Sequence, residues 1–181
     1  MAIAWSTYQS GLWGGIQDEG YTESVREANN AVDLLQAADR IRVLDQLVFV
    51  EIQTSGVCEQ GEQSDDAACD RLLASMSDAG RAAFAAESAG ESPFESPEYL
   101  DALYTQGEAA QEASDRFFEE AGEANEHGDN HELAATILTA VMFFAGIAAV
   151  RDDRRIGWAL IVVAGLLMAG GLAYSFTLPL A

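Results

Sequence analysis

Two long runs without a charged residue stand out in the last quarter of the chain. The first covers 133–150 and the second covers 156–181, and only five residues separate them. A helix crosses the hydrocarbon core of a bilayer with about 20 predominantly apolar residues, and both runs suit that length. Each run is apolar on all sides, which disfavours a helical hairpin buried in a soluble core. The pattern predicts transmembrane helices over 133–150 and 156–176, joined by a tight turn at 151–155.

The residues before these runs carry the three-and-four spacing of helices. Between 21 and 54 the chain has no proline and no glycine, and one helix face is predicted from Leu34, Ala38, Ile41, Leu44, Val48 and Ile52. Further apolar residues widen this face, namely Leu35, Val43, Leu47, Phe49 and Val50. So wide an apolar arc suggests that this helix contacts more than one neighbour.

Two more helices are predicted, over about 65–88 and 97–127. Ser96, Pro97 and Glu98 form a helix start, because serine caps well, proline suits the first position and an acid suits the first turn. Every seventh residue is then apolar at Leu103, Ala110, Phe117 and Ala124, which is typical of close helix packing. We expect this helix to continue into 133–150 or to bend near Gly128.

No convincing strand-like alternation occurs anywhere in the chain. The predicted fold class is therefore all-α. We expect an integral membrane helical bundle with an extracytoplasmic helical region and a C-terminal transmembrane hairpin.

Residues 1–17 differ from an ordinary soluble N-terminus. Apolar and aromatic side chains precede the first acid, Asp18, and no basic segment marks a signal peptide. Trp5, Tyr8 and Trp13 are typical of an aromatic belt at a membrane interface. We expect this segment to be the outer end of a membrane helix whose inner part is missing, or an amphipathic helix in the outer headgroup layer.

Two short motifs carry a resemblance. The sequence AWSTYQ at 4–9, followed by Trp13 and Gln17, and the sequence FFAGIA at 143–148 resemble a group of uncharacterised prokaryotic integral membrane proteins. In that group the AWSxYQ segment closes a first membrane helix, an exterior helical region follows, and two further spans end the chain. The resemblance implies a three-span topology and no activity.

Charge is divided unevenly along the chain. The protein has 30 acidic residues, nine arginines and no lysine, for a formal net charge of −21, and only Asp152 and Asp153 among the acids follow residue 132. So acidic a chain cannot neutralise phosphates over a large footprint, which excludes nucleic acid as a partner. The acidity is typical of a surface adapted to high salt, and the alternative is an electronegative vestibule above a pore.

Three arginines predict the orientation in the membrane. Arg151, Arg154 and Arg155 lie in the turn between the two apolar runs, and positive residues favour the cytoplasmic side. The sequence therefore predicts a multi-pass protein of the cell membrane, with the lipid bilayer as a partner and residues 1–132, including the acidic region 18–132, outside. Trp158 and Tyr174 fall near the two ends of the second run, where we expect membrane-interface residues.

Cys58 and Cys69 are the two cysteines of the chain. They lie in a stretch rich in glycine, serine and acids, and an exterior compartment is oxidising. We therefore predict a disulfide between them.

Candidate chemistry is sparse. His127 and His131 are four residues apart, so on a helix they share a face, and with one carboxylate they could hold Zn²⁺. No third ligand follows from the spacing, so solvated or membrane-surface histidines are the favoured interpretation, and no metal or cofactor is predicted. We find no motif for a nucleophile, a phosphate loop or a zinc protease, so no catalytic residue is predicted and we expect no enzyme.

These observations lead to one main hypothesis and two alternatives. The main hypothesis is a non-enzymatic integral membrane protein that forms a homo-oligomer or joins a membrane-protein partner as an accessory subunit. The first alternative is a cation channel made by a homo-oligomer, with Thr136 and Thr139 lining its pore. The second is a sensor or partner-binding module.

Overall fold

The computed structural model describes residues 1–58, 66–86 and 92–181, and the described residues form helices and their connections. In chain order the helices are α1 (Ala2–Ser55), α2 (Asp66–Ser75), α3 (Asp78–Ala85), a 3-10 turn (Pro93–Glu95), α4 (Pro97–Val150) and α5 (Arg154–Thr177). Within these ranges there is no strand, which confirms the all-α prediction. Both α4 and α5 are long and apolar enough to cross a membrane.

Helix α1 is longer than predicted. It runs unbroken from Ala2 to Ser55, so the predicted boundary between 1–17 and a helix starting at 21 does not exist. The glycines in this stretch do not interrupt it. The helix ends where the sequence predicts, at Gly56, whose φ of 66° is a left-handed conformation that glycine adopts freely.

The single helix predicted over 65–88 is two helices, which is a correction. Ser77 adopts an extended conformation between α2 and α3, and its side chain accepts a hydrogen bond from the Gly80 amide. A serine in this role caps the start of a new helix. The apolar residues keep their helical spacing on both sides of this break, so their spacing does not reveal it. The predicted start at Ser64–Asp65 and the predicted end at 88 lie outside the described residues.

Helix α4 combines two predicted elements. It passes through Gly128 as helix, so the helix predicted over 97–127 and the run 133–150 are one continuous element. Helix α5 starts at Arg154, and the Asp153 side chain caps it by accepting a hydrogen bond from the Arg155 amide. The turn is therefore shorter than the predicted 151–155.

The chain divides into two compact units. The terminal unit consists of Met1–Ser24 and Asp115–Ala181, and the central unit consists of Val25–Ser114.

In the terminal unit, α1 and α4 are antiparallel. Tyr21 lies beside Phe118 and Trp13 lies beside His127, with ring centroids 5.4 and 4.7 Å apart. Small residues allow a close approach between these helices, because a Cβ added at Gly20 would lie 2.9 Å from the Cβ of Ala121. Buried residues of α4 recur here every three or four positions, at Ala121, Ala124, Gly128, His131, Ala135 and Leu138, and Ala134 beside them is also buried.

Helices α4 and α5 form a second antiparallel pair in the terminal unit. A Cβ added at Gly171 would lie 3.1 Å from a methyl group of Ile137, and Gly157 approaches the carbonyl oxygen of Ala148. The buried residues of α5 are Gly157, Ala164 and Gly171, each seven apart. Small residues at heptad spacing let two helices pack closely.

The central unit has its own core, which contains Ile52, Met76, Ala83, Phe94 and Tyr99. Its aromatic rings meet edge to face: Phe94 lies 5.5 Å from Phe49 and 5.1 Å from Tyr99 between ring centroids. Such pairs are favourable beyond the area they bury. The core thus joins α1, the short helices and the start of α4.

The buried face of α1 in this unit differs from the predicted one. Ala31, Ala38, Asp45 and Ile52 are buried at seven-residue spacing, whereas Ile41 and Leu44 are exposed. The predicted face contains apolar residues only, so the buried carboxylate of Asp45 is not part of it.

We predict that Gly20→Ala destabilises the protein by about 1–3 kcal/mol, because the added methyl group would overlap Ala121, whose Cβ is fixed to the backbone. Thermal unfolding of the full chain in mild detergent, followed by circular dichroism, measures the effect.

The matched control for this variant is Gly122→Ala. Nothing lies within 4 Å of a Cβ added there, so we expect a gain of about 0.4–1 kcal/mol from reduced freedom of the unfolded chain. Equal behaviour of the two variants would show that close packing at Gly20 is unimportant.

Candidate functional site

The apolar surface of α4 and α5 is mostly left uncovered by the rest of the protein. In each helix only 17% of the most apolar 18-residue window is buried inside the protein. Exposed large side chains include Met142, Phe143, Val150, Ile161, Val162, Leu166 and Phe176. A core helix of a soluble protein would be mostly buried, and a signal sequence would lie near the N-terminus. Neither description fits these helices.

The predicted membrane-interface residues fall into two groups. Trp5, Tyr8 and Trp158 are exposed. Trp13 and Tyr174 pack inside the terminal unit instead: the Trp13 ring contacts His127, and the Tyr174 hydroxyl donates to Asn130 Oδ1 over 2.8 Å.

Polar side chains fix the segment that follows α5. The His131 ring meets the carbonyl oxygen of Pro179 with Nε2 at 2.8 Å, and the Ala181 amide donates to Gln9 Oε1 over 3.0 Å. Nearby, the hydroxyl groups of Ser6 and Ser175 are 3.3 Å apart. Since Ser6, Gln9 and His131 are all buried, these contacts form a polar cluster inside the terminal unit, which we call the tail cluster.

His131 is not the solvated residue that the sequence favoured, because its side chain is completely buried. A carbonyl oxygen only accepts hydrogen bonds, so Nε2 carries the proton that points to Pro179. Among the described residues, neither the other ring nitrogen of His131 nor Nε1 of Trp13 has a hydrogen-bond partner.

The two histidines do not form a metal site with a third ligand. In the part of the chain that the structure describes, no group of three His, Cys, Asp or Glu side chains is placed to hold a metal ion. The ring of His127 packs against Trp13, and His131 points to the tail cluster.

The turn between α4 and α5 presents unpaired positive charge. Arg151, Arg154 and Arg155 are exposed. Across the described residues, no carboxylate lies within ion-pair distance of any of them. Asp153 is used as the helix cap of α5. The turn is therefore available to an anion.

A groove on α4 ends at this turn. It has a volume of about 590 Å³ and is lined by Met142, Phe143, Gly146, Ile147, Val150 and Arg151. We call it the α4 groove. A Cβ added at Gly146 would meet nothing within 4 Å, so this glycine leaves a notch among larger apolar side chains.

A second groove in the terminal unit is lined by hydroxyl groups. It has a volume of about 540 Å³ and lies between α1 and α4, with Ile3, Thr7, Ser10, Gly11, Glu132, Ala135, Thr136 and Thr139 around it. We call it the hydroxyl groove. The two threonines that the channel hypothesis names are thus on one surface with a carboxylate.

The central unit contains a buried carboxylate network centred on Asp45, which is only 1% exposed. Its Oδ1 accepts from the Ser77 amide over 2.8 Å, and its Oδ2 accepts from the hydroxyl groups of Ser77 and Tyr99 over 2.5 and 3.0 Å. Three donors from α3 and α4 therefore converge on one side chain of α1.

This network changes the acidity of a tyrosine. Burial, and then the hydrogen bond to Asp45 and its negative charge, raise the pKa of Tyr99 well above its ordinary value. At the exposed edge of the same unit, the hydrogen bond to Asp39 raises the pKa of Tyr104.

The predicted disulfide between Cys58 and Cys69 is present. The sulfur atoms of Cys58 and Cys69 are 2.10 Å apart, and their Cα atoms are 5.1 Å apart. The bridge closes the connection between α1 and α2 in the central unit, so it fixes α2 close to the end of α1.

Several of these residues gave little signal in the sequence. Ser6 and Gln9 belong to the AWSTYQ motif, but the motif names no partner for them, and only the fold brings them to the tail cluster. Asp45 did carry one hint: it stands seven residues after Ala38 and seven before Ile52, in register with a buried face. An acid in that register is a candidate for a paired buried group.

No protein-family model, curated protein or solved structure matches the chain. The function is therefore argued from the geometry.

We predict that the protein loses stability as the pH rises above about 10, where tyrosine in the unfolded chain ionises. Folded Tyr99 keeps its proton there because its pKa is raised, so the unfolded state alone gains from deprotonation. For this one tyrosine, the free energy of unfolding falls by up to about 1.4 kcal/mol for each pH unit. Thermal unfolding of the full chain in mild detergent at stepped pH measures it.

The variant Tyr99→Phe removes the ionisable group and retains the ring. We expect it to be less stable at neutral pH, because Asp45 loses one donor, and to show a shallower alkaline loss. An unchanged alkaline slope in this variant would contradict the assignment.

Proposed function

We propose that the protein is a non-enzymatic, multi-pass integral membrane protein of the cell membrane that assembles with copies of itself or with a membrane-protein partner. In this proposal α4 and α5 lie in the bilayer over 133–150 and 156–176, the arginine turn lies in the cytoplasm, and residues 1–132 lie outside. The observation that carries the proposal is the apolar surface of α4 and α5, most of which the protein itself leaves uncovered.

The cost of exposing that surface supports the membrane placement. Burial of apolar surface is worth about 25 cal/mol per Å², and more than ten large apolar side chains of α4 and α5 are exposed. An aqueous protein rarely leaves so large a contiguous surface open. A bilayer covers it without any partner.

The charge distribution supports the orientation. Positive residues at a short turn favour the cytoplasm, and acidic residues have little influence on this preference. The turn holds Arg151, Arg154 and Arg155, whereas 28 of the 30 acids lie in residues 1–132. The bridge between Cys58 and Cys69 fits an exterior compartment, where disulfides persist.

A second apolar surface supports assembly. In the central unit, Val43, Leu44, Leu47 and Val50 are each more than half exposed, on the side of α1 away from Ala38 and Asp45. Four large apolar residues within two turns of a helix are typical of a contact with another protein surface. We call them the α1 patch. A membrane protein confined to two dimensions meets its own copies readily, which makes self-assembly the simplest use of this patch.

The test is the size of the full chain extracted from membranes. We expect the protein to stay in the membrane fraction after an alkaline carbonate wash and to run in mild detergent as an oligomer or with a bound subunit. Leu47→Glu places a charge in the α1 patch, so we expect it to shift the assembly to monomers.

The matched control is Gln53→Glu, which adds the same charge at an exposed polar position near the end of α1. It should retain the wild-type size. A wild-type protein that is a clean monomer without any subunit would overturn the assembly.

A cation channel is the second candidate, and the hydroxyl groove favours it. Thr7, Ser10, Thr136 and Thr139 offer oxygen atoms along one surface, and Glu132 supplies negative charge at the same groove. Oxygen-lined, electronegative paths are suited to cations. Several copies with this surface inward would enclose such a path.

Reconstitution in planar bilayers tests the channel. We expect a cation-selective conductance that falls when Glu132 is changed to Gln, while Glu126→Gln, on an exposed position of the same helix, leaves it unchanged. A protein without conductance for monovalent and divalent cations over a range of voltages would exclude this candidate.

A further inference from the structure

The α4 groove combines an apolar floor with a positive end. Met142, Phe143, Ile147 and Val150 supply the floor around the notch at Gly146, and Arg151 closes the groove at the turn. From Met142 to Val150 the helix rises about 12 Å, close to the half-thickness of about 15 Å of a bilayer's hydrocarbon core. One acyl chain of one leaflet has this length and this chemistry.

The positive end calls for an anion from outside the chain. In the described ranges no carboxylate pairs with Arg151, Arg154 or Arg155, although the chain as a whole carries a net charge of −21. Arginine binds phosphate through several parallel hydrogen bonds, and basic groups at the cytoplasmic membrane surface attract anionic lipids.

We propose that the α4 groove binds an anionic phospholipid of the cytoplasmic leaflet, with an acyl chain along Met142 to Val150 and the headgroup phosphate at Arg151. The inference rests on the proposed membrane placement and adds the chemical class of a bound ligand. Arg154 and Arg155, at the start of α5, add positive charge at the level of the headgroup.

The charge favours a lipid over a second copy of the chain in this groove. Copies inserted in the same orientation bring their arginine turns to the same level of the membrane, and each turn has a surplus of positive charge. Like charges at that level oppose close contact, whereas an anionic headgroup neutralises them.

Lipid retention by the full chain tests the site. The protein is placed in nanodiscs of phosphatidylcholine with a minor part of phosphatidylglycerol, then transferred to mild detergent, and native mass spectrometry counts the lipids that stay bound. We expect enrichment of phosphatidylglycerol over phosphatidylcholine in the wild-type protein. Arg151→Gln should reduce this enrichment about fivefold, the effect of one basic residue at a membrane surface.

Two control variants separate the groove from general effects. Arg71→Gln removes one exposed positive charge in the central unit and should keep the enrichment. Gly146→Leu fills the notch and should lose the bound lipid, whereas Gly165→Leu changes a glycine of α5 that is equally open and should retain it.

The outcomes are distinguishable. Equal phosphatidylglycerol enrichment in Arg151→Gln and in the wild-type protein overturns the lipid site. A Gly146→Leu variant that keeps its lipid but changes its oligomeric mass also overturns it, because the groove would then bind a second copy of the chain. A wild-type protein that does not enter nanodiscs overturns the membrane placement itself, while one that enters them without a lipid preference overturns only the lipid site.

Discussion

The apolar surface of α4 and α5 is the constraint that the rest of the molecule must satisfy. The protein buries only a small part of this surface, so something other than water must cover the remainder. If lipid does so, a second demand follows, because no water is available in the hydrocarbon to satisfy backbone amides and carbonyls. Both helices meet this demand, since each is continuous through its apolar segment. The ends of the helices and the polar side chains near them then lie at the two levels where water returns.

Contacts inside the hairpin follow from the same constraint. Apolar attraction between helices is weak when the surroundings are equally apolar, so close packing and hydrogen bonds must hold the hairpin together. Gly157, Ala164 and Gly171 of α5 provide the close packing, and the contact between Tyr174 and Asn130 provides a hydrogen bond near the C-terminal end of α5. The tail cluster continues this polar contact beyond the end of α5, through Gln9 and His131.

The sequence predicted the parts of the structure that depend on local chemistry. The apolar runs, the start of α4 at Pro97 and the end of α1 before Gly56 follow from residue type and spacing. The pairing of Cys58 with Cys69 follows from their being the two cysteines of a chain predicted to face an oxidising compartment. The break between α2 and α3 was not predicted, because the helical spacing of apolar residues continues across Ser77, which caps α3. The burial of Asp45 and His131 was not predicted for another reason. A polar residue is buried where partners from distant segments of the chain converge on it, and the spacing of apolar residues carries no information on those partners. The lining residues of the α4 groove share one helix face by their spacing, but spacing does not show that the rest of the protein leaves this face uncovered.

The network at Asp45 makes position 45 unusually selective. Two hydroxyl groups and one amide approach the side chain, so every neighbour there is a donor. An asparagine has nearly the same shape, but its NH₂ group can only donate, so the hydrogens of the two hydroxyl groups would lose the acceptor that Oδ2 provides. An aliphatic residue would leave all three donors unsatisfied inside the core. An aspartate is thus the side chain that suits this position, and a helix of eight residues, α3, is oriented by an acidic residue that hydropathy alone would assign to the surface.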